Sequence, residues 1–301
     1  MGERPAILSR GYGRRDAVDG VVVVRDADGI RADLDRAGDE PLMLARQLEG
    51  VSVLVSPDRH LAGRLAEHHL GTTVHVLDDG FQHFQLHRDA DIVVVTREDL
   101  PPEGNLPPEG DLPPKGDLPP KGGSYLTLPT GRLREPTDAI EAADAIIELD
   151  GERRQAESGE RRAASGQPVW RAQRLVRPVR AAVASEPPPT PDAGPVLALA
   201  GIAEPDGFFA SVRAAGWTIA REMRFRDHHR YSRHEVDAIA AAARQSGARA
   251  VLTTEKDLVR LLPYRPFPVP VAFAPLALRI DASDTFDLWL KERVAAARRR
   301  A

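Results

Sequence analysis

Five short apolar runs rich in Val, at residues 6–8, 21–24, 51–55, 73–77 and 92–95, leave a sheet covered on both faces as the economical way to bury them. Between them, 41–48 and 59–69 carry apolar residues at helical intervals, the second ahead of a Gly71 stop. Strands that alternate with helices predict an α/β fold with a parallel sheet. A second series follows, with strands at 196–200 and 250–253 and helices at 205–215, 233–244 and 284–298. The Pro-rich stretch Ser185-Glu186-Pro187-Pro188-Pro189-Thr190-Pro191 precedes that series and reads as a linker or exposed turn. Two domains are therefore expected, a core over 1–177 and a smaller C-terminal α/β domain over 178–301.

Residues 99–122 repeat with a period of six: Asp-Leu-Pro-Pro-Glu-Gly, Asn-Leu-Pro-Pro-Glu-Gly, then Asp-Leu-Pro-Pro-Lys-Gly twice. Four Pro-rich copies are too short for a solenoid, so an extended or disordered surface insert is expected. A formal net charge of −4 carries no electrostatic footprint of nucleic-acid binding. The chain has no cysteine, which excludes disulfides, thiolate metal sites and Cys nucleophiles. No signal-peptide core and no apolar run of spanning length occurs, so any membrane contact is expected to be peripheral.

The chemistry concentrates in a few strings. Leu77-Asp78-Asp79-Gly80-Phe81-Gln82-His83 puts two carboxylates at the carboxyl end of a strand, where such acids hold Mg²⁺ and a nucleotide, although an Asp pair also suits a turn or cap. Ser9-Arg10-Gly11-Tyr12-Gly13-Arg14 follows the first strand, with glycines that permit close approach and arginines that can fork onto phosphate; a plain glycine turn is the bland alternative. In Gly38-Asp39-Glu40-Pro41, Asp39 reads locally as a helix N-cap. Asp227-His228-His229 lies just before Ser232-Arg233-His234-Glu235, which has the form of a capping box, so the histidines sit in a loop ahead of a helix. A histidine there can take a proton from a hydroxyl. His68-His69 lies on a helical face and reads as exposed surface.

These strings, with Thr254-Glu255-Lys256-Asp257 and Leu133-Arg134-Glu135-Pro136, resemble those of the tetraacyldisaccharide 4'-kinase (lipid A 4'-kinase) family from about residue 4 to 290. The resemblance implies a P-loop-kinase-like parallel sheet core and transfer of the ATP γ-phosphate to the 4'-hydroxyl of a tetraacyl glucosamine disaccharide 1-phosphate. It further implies His228 as base with Asp39, a dyad across the domain interface. Asp78, Asp79 and Glu40 would serve Mg²⁺; Arg10, Arg134 and Lys256 the nucleotide phosphates; and Tyr12, Gln82 and His83 the acceptor. The implied partners are ATP and an acylated disaccharide lipid. The implied location is the cytoplasmic face of a bacterial inner membrane, with peripheral attachment.

One expected part is missing from the sequence. A P-loop kinase cradles phosphate with Gly-x-x-x-x-Gly-Lys-Ser/Thr, and no such string occurs; the four lysines are at 115, 121, 256 and 291. In the family this loop precedes the Ser-Arg-Gly-Tyr-Gly string, so the first strand and the loop are expected upstream of Met1, as from a start codon assigned too late. The rival reading is a non-catalytic remnant that binds the lipid disaccharide without ATP. A P-loop GTPase or metallochaperone is disfavoured, because no Asn-Lys-x-Asp string is present.

Overall fold

Each apolar run becomes a strand in the computed structural model, which describes residues 2–16, 18–96, 137–149, 161–163 and 166–300. The first sheet is built from β1 (Pro5–Ser9), β2 (Val22–Asp26), the short β3 (Gly29–Ile30), β4 (Ser52–Val55) and β5 (Val74–Leu77), with α1 (Leu34–Ala37), α2 (Asp39–Gln47) and α3 (Arg59–Leu70) between them. Its order is β3-β2-β4-β1-β5. β1 runs parallel to β4 and β5, as the alternation with helices requires. The run at 21–24 departs from the expected parallel sheet, since β2 lies antiparallel to β4. Apolar runs report burial and not direction, and the tight turn from Asp26 to Gly29, where Asp28 N–H donates to Asp26 Oδ1 at 2.9 Å, folds β3 back onto β2. Among the described residues β5 is an edge strand, and its Val76 is half exposed.

The chain continues through β6 (Ile92–Thr96), β7 (Ala145–Leu149), β8 (Arg161–Arg162) and β9 (Pro168–Val176). It then enters β10 (Arg180–Ala181), β11 (Val196–Ala200), α4 (Pro205–Ala214), β12 (Ile219–Arg224), α5 (Arg233–Gln245), β13 (Ala250–Thr254), α6 (Glu255–Leu261) and β14 (Val271–Ala274). β15 (Leu276–Ile280) and α7 (Ser283–Arg300) close it. By contacts, Met1–Gln82 and Val176–Ala277 form one unit, and His83–Leu175 with Leu278–Ala301 a second. Each unit is thus made of two separate segments, whereas two consecutive domains, 1–177 and 178–301, were expected from the sequence. The repeat at 99–122 lies outside the described residues.

The second sheet, β10-β14-β13-β11-β12, places β11 between β13 and the edge strand β12. Val-Leu-Ala-Leu-Ala has no polar position because both faces are covered: Leu197 and Leu199 pack with Val236 and Ile239 of α5, while Ala198 and Ala200 pack with Phe209 of α4. Burying each leucine contributes about 1.5–3 kcal/mol. The third sheet, β15-β9-β7-β6 with β8 on β9, holds α7 through Trp170, whose Nε1 donates to Thr285 Oγ1 at 3.0 Å. No helix among the described residues is long and apolar enough to cross a membrane.

Candidate active site

Asp39 and His228, 189 positions apart, meet within unit one and not across a domain interface as expected. Gly38 and not Asp39 takes the N-cap position of α2, so Asp39 is the first helical residue. Its side chain is thereby released from capping and aimed at the loop between β12 and α5. That loop is held at its far end by the expected capping box, in which Ser232 and Glu235 satisfy each other's backbone N–H. At its near end His228 adopts φ 53°, a left-handed conformation that costs a non-glycine residue of the order of 1–3 kcal/mol. The turn aims His228 Nδ1 at Asp39 Oδ2, 2.9 Å away. An ionised carboxylate there accepts from Nδ1–H and leaves the Nε2 lone pair as the proton acceptor. His229 is built differently: its Nε2 pairs with Glu235 at 3.0 Å and its ring packs between Phe225 and Tyr231.

The carboxylate is kept ionised by a residue that the motif reading passed over. Arg260 of α6 is 2% exposed; its Nε donates to Asp39 Oδ2 at 2.8 Å and its Nη2 to the same oxygen. Burial pushes the Asp39 carboxyl up, but the Arg260 charge and hydrogen bonds, aided by His228, hold it below the usual carboxylate range. Arg260 Nη1 donates to the Gly201 carbonyl at 2.7 Å and to Asp257 Oδ1 at 3.2 Å. Asp257, fully buried, also accepts from Gly201 N–H, Tyr231 Oη and Thr254 Oγ1. Arg260 lies inside the run Leu258-Val259-Arg260-Leu261-Leu262, and a charge in so apolar a stretch is the signal that would have found it.

A second group gathers at the carboxyl ends of β1 and β5. Asp78 Oδ2 accepts from Ser9 Oγ at 2.9 Å. Burial pushes the Asp78 carboxyl up against that hydrogen bond, and the charges of Glu40 and Asp79 add to the rise. Asp79 is exposed at φ 53°. The turn is tight enough that a Cβ on Gly80 would come within 2.4 Å of Leu77 Cβ. Gly11, at φ 71°, is likewise confined, since a Cβ there would stand 2.2 Å from Val55. Arg59, the first residue of α3, is 4% exposed and its Nε finds no hydrogen-bond partner among the described residues. Burial, with the charge of Arg10 beside it, disfavours its cation, while Asp79 and Asp78 favour it. Sequence reading took Arg59 only as the start of a helix, and nothing local marks it.

The other expected residues fall around these two groups. Lys256 Nζ pairs with Glu40 Oε1 at 2.5 Å, so each is engaged by the other. The Tyr12 ring meets His228 edge-on at 5.8 Å and is 75% exposed, while Arg10, two positions earlier, is also exposed. Arg230 pins this loop by donating to the Gly13 carbonyl at 2.7 Å and pairing with Asp35. Gln82 ends the first segment of unit one and His83 begins unit two. Arg134 lies outside the described residues. Among those described, no group of three or more His, Cys, Asp or Glu is placed to enclose a metal. Two neighbouring carboxylates nevertheless suit Mg²⁺, which takes one or two protein carboxylates and completes its octahedron with phosphate oxygens and water.

Comparison with known proteins gives a consistent answer. The family profile described as tetraacyldisaccharide-1-P 4'-kinase (LpxK) matches residues 1–114 and 117–295. The tetraacyldisaccharide 4'-kinase of Syntrophus aciditrophicus is 32% identical over 305 residues, covering 95% of this chain and 75% of the relative. That of Geobacter metallireducens is 36% identical over 266 residues, covering 87% and 70%. A crystal structure of LpxK from Aquifex aeolicus in complex with ATP is similar at TM-score 0.70 and 27% identity, covering 97% of this chain and 79% of that one.

Proposed function

The chain belongs to the tetraacyldisaccharide-1-P 4'-kinase family, and from that premise we propose that it transfers the γ-phosphate of ATP to the 4'-hydroxyl of a tetraacyl glucosamine disaccharide 1-phosphate. The observation that carries the reading is the Asp39–His228 pair, with Nδ1 and Oδ2 2.9 Å apart, an arrangement in which a proton held on Nδ1 leaves Nε2 as acceptor. His228 Nε2 takes the proton of the sugar hydroxyl as its oxygen attacks the γ-phosphorus; the P–O bond to ADP breaks and the electron pair leaves on ADP. Asp39 stabilises the imidazolium that forms. Tyr12, exposed beside His228, offers a face to the disaccharide. Arg59 and Arg10 supply positive charge near Asp78 and Asp79, the place where phosphate charge must be met. When bound through Asp78 and Asp79, Mg²⁺ would neutralise and orient the phosphates. The lipid acceptor implies work at the cytoplasmic face of an inner membrane, where Arg298, Arg299 and Arg300 in the last turn of α7 carry the sign that anionic headgroups attract. A remnant that only binds lipid has no need of so fully built a dyad.

The test is His228→Ala in a form that carries a phosphate-binding loop, assayed with Mg²⁺-ATP and the lipid disaccharide. The expected result is a kcat lower by about 10²- to 10⁴-fold with KM little changed. An unchanged kcat removes His228 from the mechanism.

A further inference from the structure

A carboxylate bonded only to an imidazole is loosely held, because rotation about the last aspartate torsion is broad and close to two-fold. Asp39 has lost that freedom. Its Oδ1 accepts from Glu40 N–H at 3.0 Å, and its Oδ2 accepts from Arg260 Nε and Nη2 and faces His228 Nδ1. Arg260 is itself fixed from the opposite side by the Gly201 carbonyl and by Asp257, on which Gly201 N–H, Tyr231 and Thr254 converge. The guanidinium therefore joins three parts of unit one: α2, the end of β11, and α6, which carries it.

Charge leads to the same place as geometry. A buried acid facing histidine alone could be balanced by a proton on the ring, which would consume the lone pair a base needs. Arg260 supplies a permanent charge beside Asp39, shared with Asp257, so part of the balance is met without an imidazolium. We propose that Arg260 is the positioning residue that fixes the Asp39 carboxylate, and through it holds the His228 ring with its proton on Nδ1 and its acceptor at Nε2. Arg260 is too buried to meet the acceptor lipid, so it acts only through Asp39. The inference rests on the reading of His228 as the base.

Two measurements test it. Long-range ¹H–¹⁵N correlation of the histidine rings reads the His228 tautomer in residues 1–301 without any substrate. The wild type should show Nδ1–H, and Arg260→Gln, in its folded fraction, a mixture with Nε2–H. In a form carrying a phosphate-binding loop, Arg260→Gln should lower kcat by about 10²-fold at little-changed KM, the loss that a misplacement of about 1 Å brings, and Arg260→Lys should recover part of it. Lysine keeps the charge without the fork, so it also serves if the glutamine variant does not fold. A wild-type tautomer in folded Arg260→Gln, or a fall in melting temperature with kcat per folded molecule unchanged, would overturn the proposal and leave Arg260 a structural ion. If the loop-bearing wild type transfers no phosphate, the kinase reading fails, while the tautomer measurement still decides what Arg260 does.

Discussion

The two charged groups of unit one are built on opposite principles. Around Asp39, each charged group has hydrogen-bond partners from within the chain: Arg260 spans Asp39 and Asp257, and Asp257 has further donors on both oxygens. Around Asp78, burial raises one carboxyl, and the buried Arg59 has an Nε with no hydrogen-bond partner among the described residues. The first group is complete before any substrate arrives. The second keeps groups that further charge can engage, a cation at the acids and an anion at the arginine. General-base catalysis rewards a rigid, preset proton acceptor, whereas a phosphate site must leave room for the charges it will bind.

The largest effect should come from supplying what the second group lacks. A phosphate-binding loop brings backbone donors, a lysine and a hydroxyl ligand for Mg²⁺, and single donors of this kind are each worth about 10²- to 10³-fold in rate. Residues 1–301, whose sequence has no such string, should bind Mg²⁺-ATP weakly and phosphorylate the lipid at least about 10³-fold more slowly than a form to which such a loop is added. Solubility should rise with the added segment if it includes a strand that covers the β5 edge, where Val76 is half exposed. Calorimetric ATP binding and a radiolabel transfer assay check this. Robust transfer by residues 1–301 alone would mean that the second group is already complete, and the contrast would fail.

Much of the fold was legible because burial writes itself into runs. β1, β4, β5, β11 and β13 are near-continuous apolar segments, and α3 ends at Gly71 as its pattern required. β12, Ile219-Ala-Arg-Glu-Met-Arg, was not legible, since it is a sheet edge that carries charge. β9 mixes Arg171, Gln173 and Arg174 into its length for similar reasons. The site divided in the same way. Family strings pointed to Asp39, His228, Asp78 and Asp79, but their pairing across the sequence is a property of topology, and local pattern made Asp39 a cap. Arg260 and Arg59 were missed because their roles depend on burial among distant partners.

A middle-sized effect should separate the groups by pH. Asp39 is depressed in the folded chain, so it contributes stability above its unfolded value near 3.8, and that contribution is lost as pH falls through the lower folded value. Asp39→Asn should cost about 3 kcal/mol near neutrality, the toll of breaking a buried ion pair, and should flatten the acid limb of the stability curve. Asp78 has the opposite sign: its raised carboxyl favours the folded state at low pH, and the benefit disappears as pH rises from the unfolded value through the folded one. Asp78→Asn should therefore stabilise the ligand-free chain slightly at neutral pH. Urea titrations of the two variants from pH 3 to 8 check both signs; parallel pH curves for them would break the comparison.

The smallest effect is the sharpest discriminator, because it compares two buried arginines directly. Arg260 and Arg59 are 2% and 4% exposed, yet only Arg260 has its hydrogen bonds met. Methionine fills much of the volume of an arginine stem without its charge. At Arg260 it would strand Asp39 and Asp257 in a dry site, at a cost of about 3–5 kcal/mol. At Arg59 it would remove a cation already disfavoured by burial and by Arg10, at the loss only of its attraction to Asp78 and Asp79. Arg59→Met should thus change the stability of the ligand-free chain by less than about 1 kcal/mol in either direction, since replacing a poorly compensated buried ion with an apolar residue is often neutral or better. Chemical denaturation of both variants checks the pair. A loss at Arg59 as large as that at Arg260 would show that it holds the fold together from within, and the second group would then be no more open than the first.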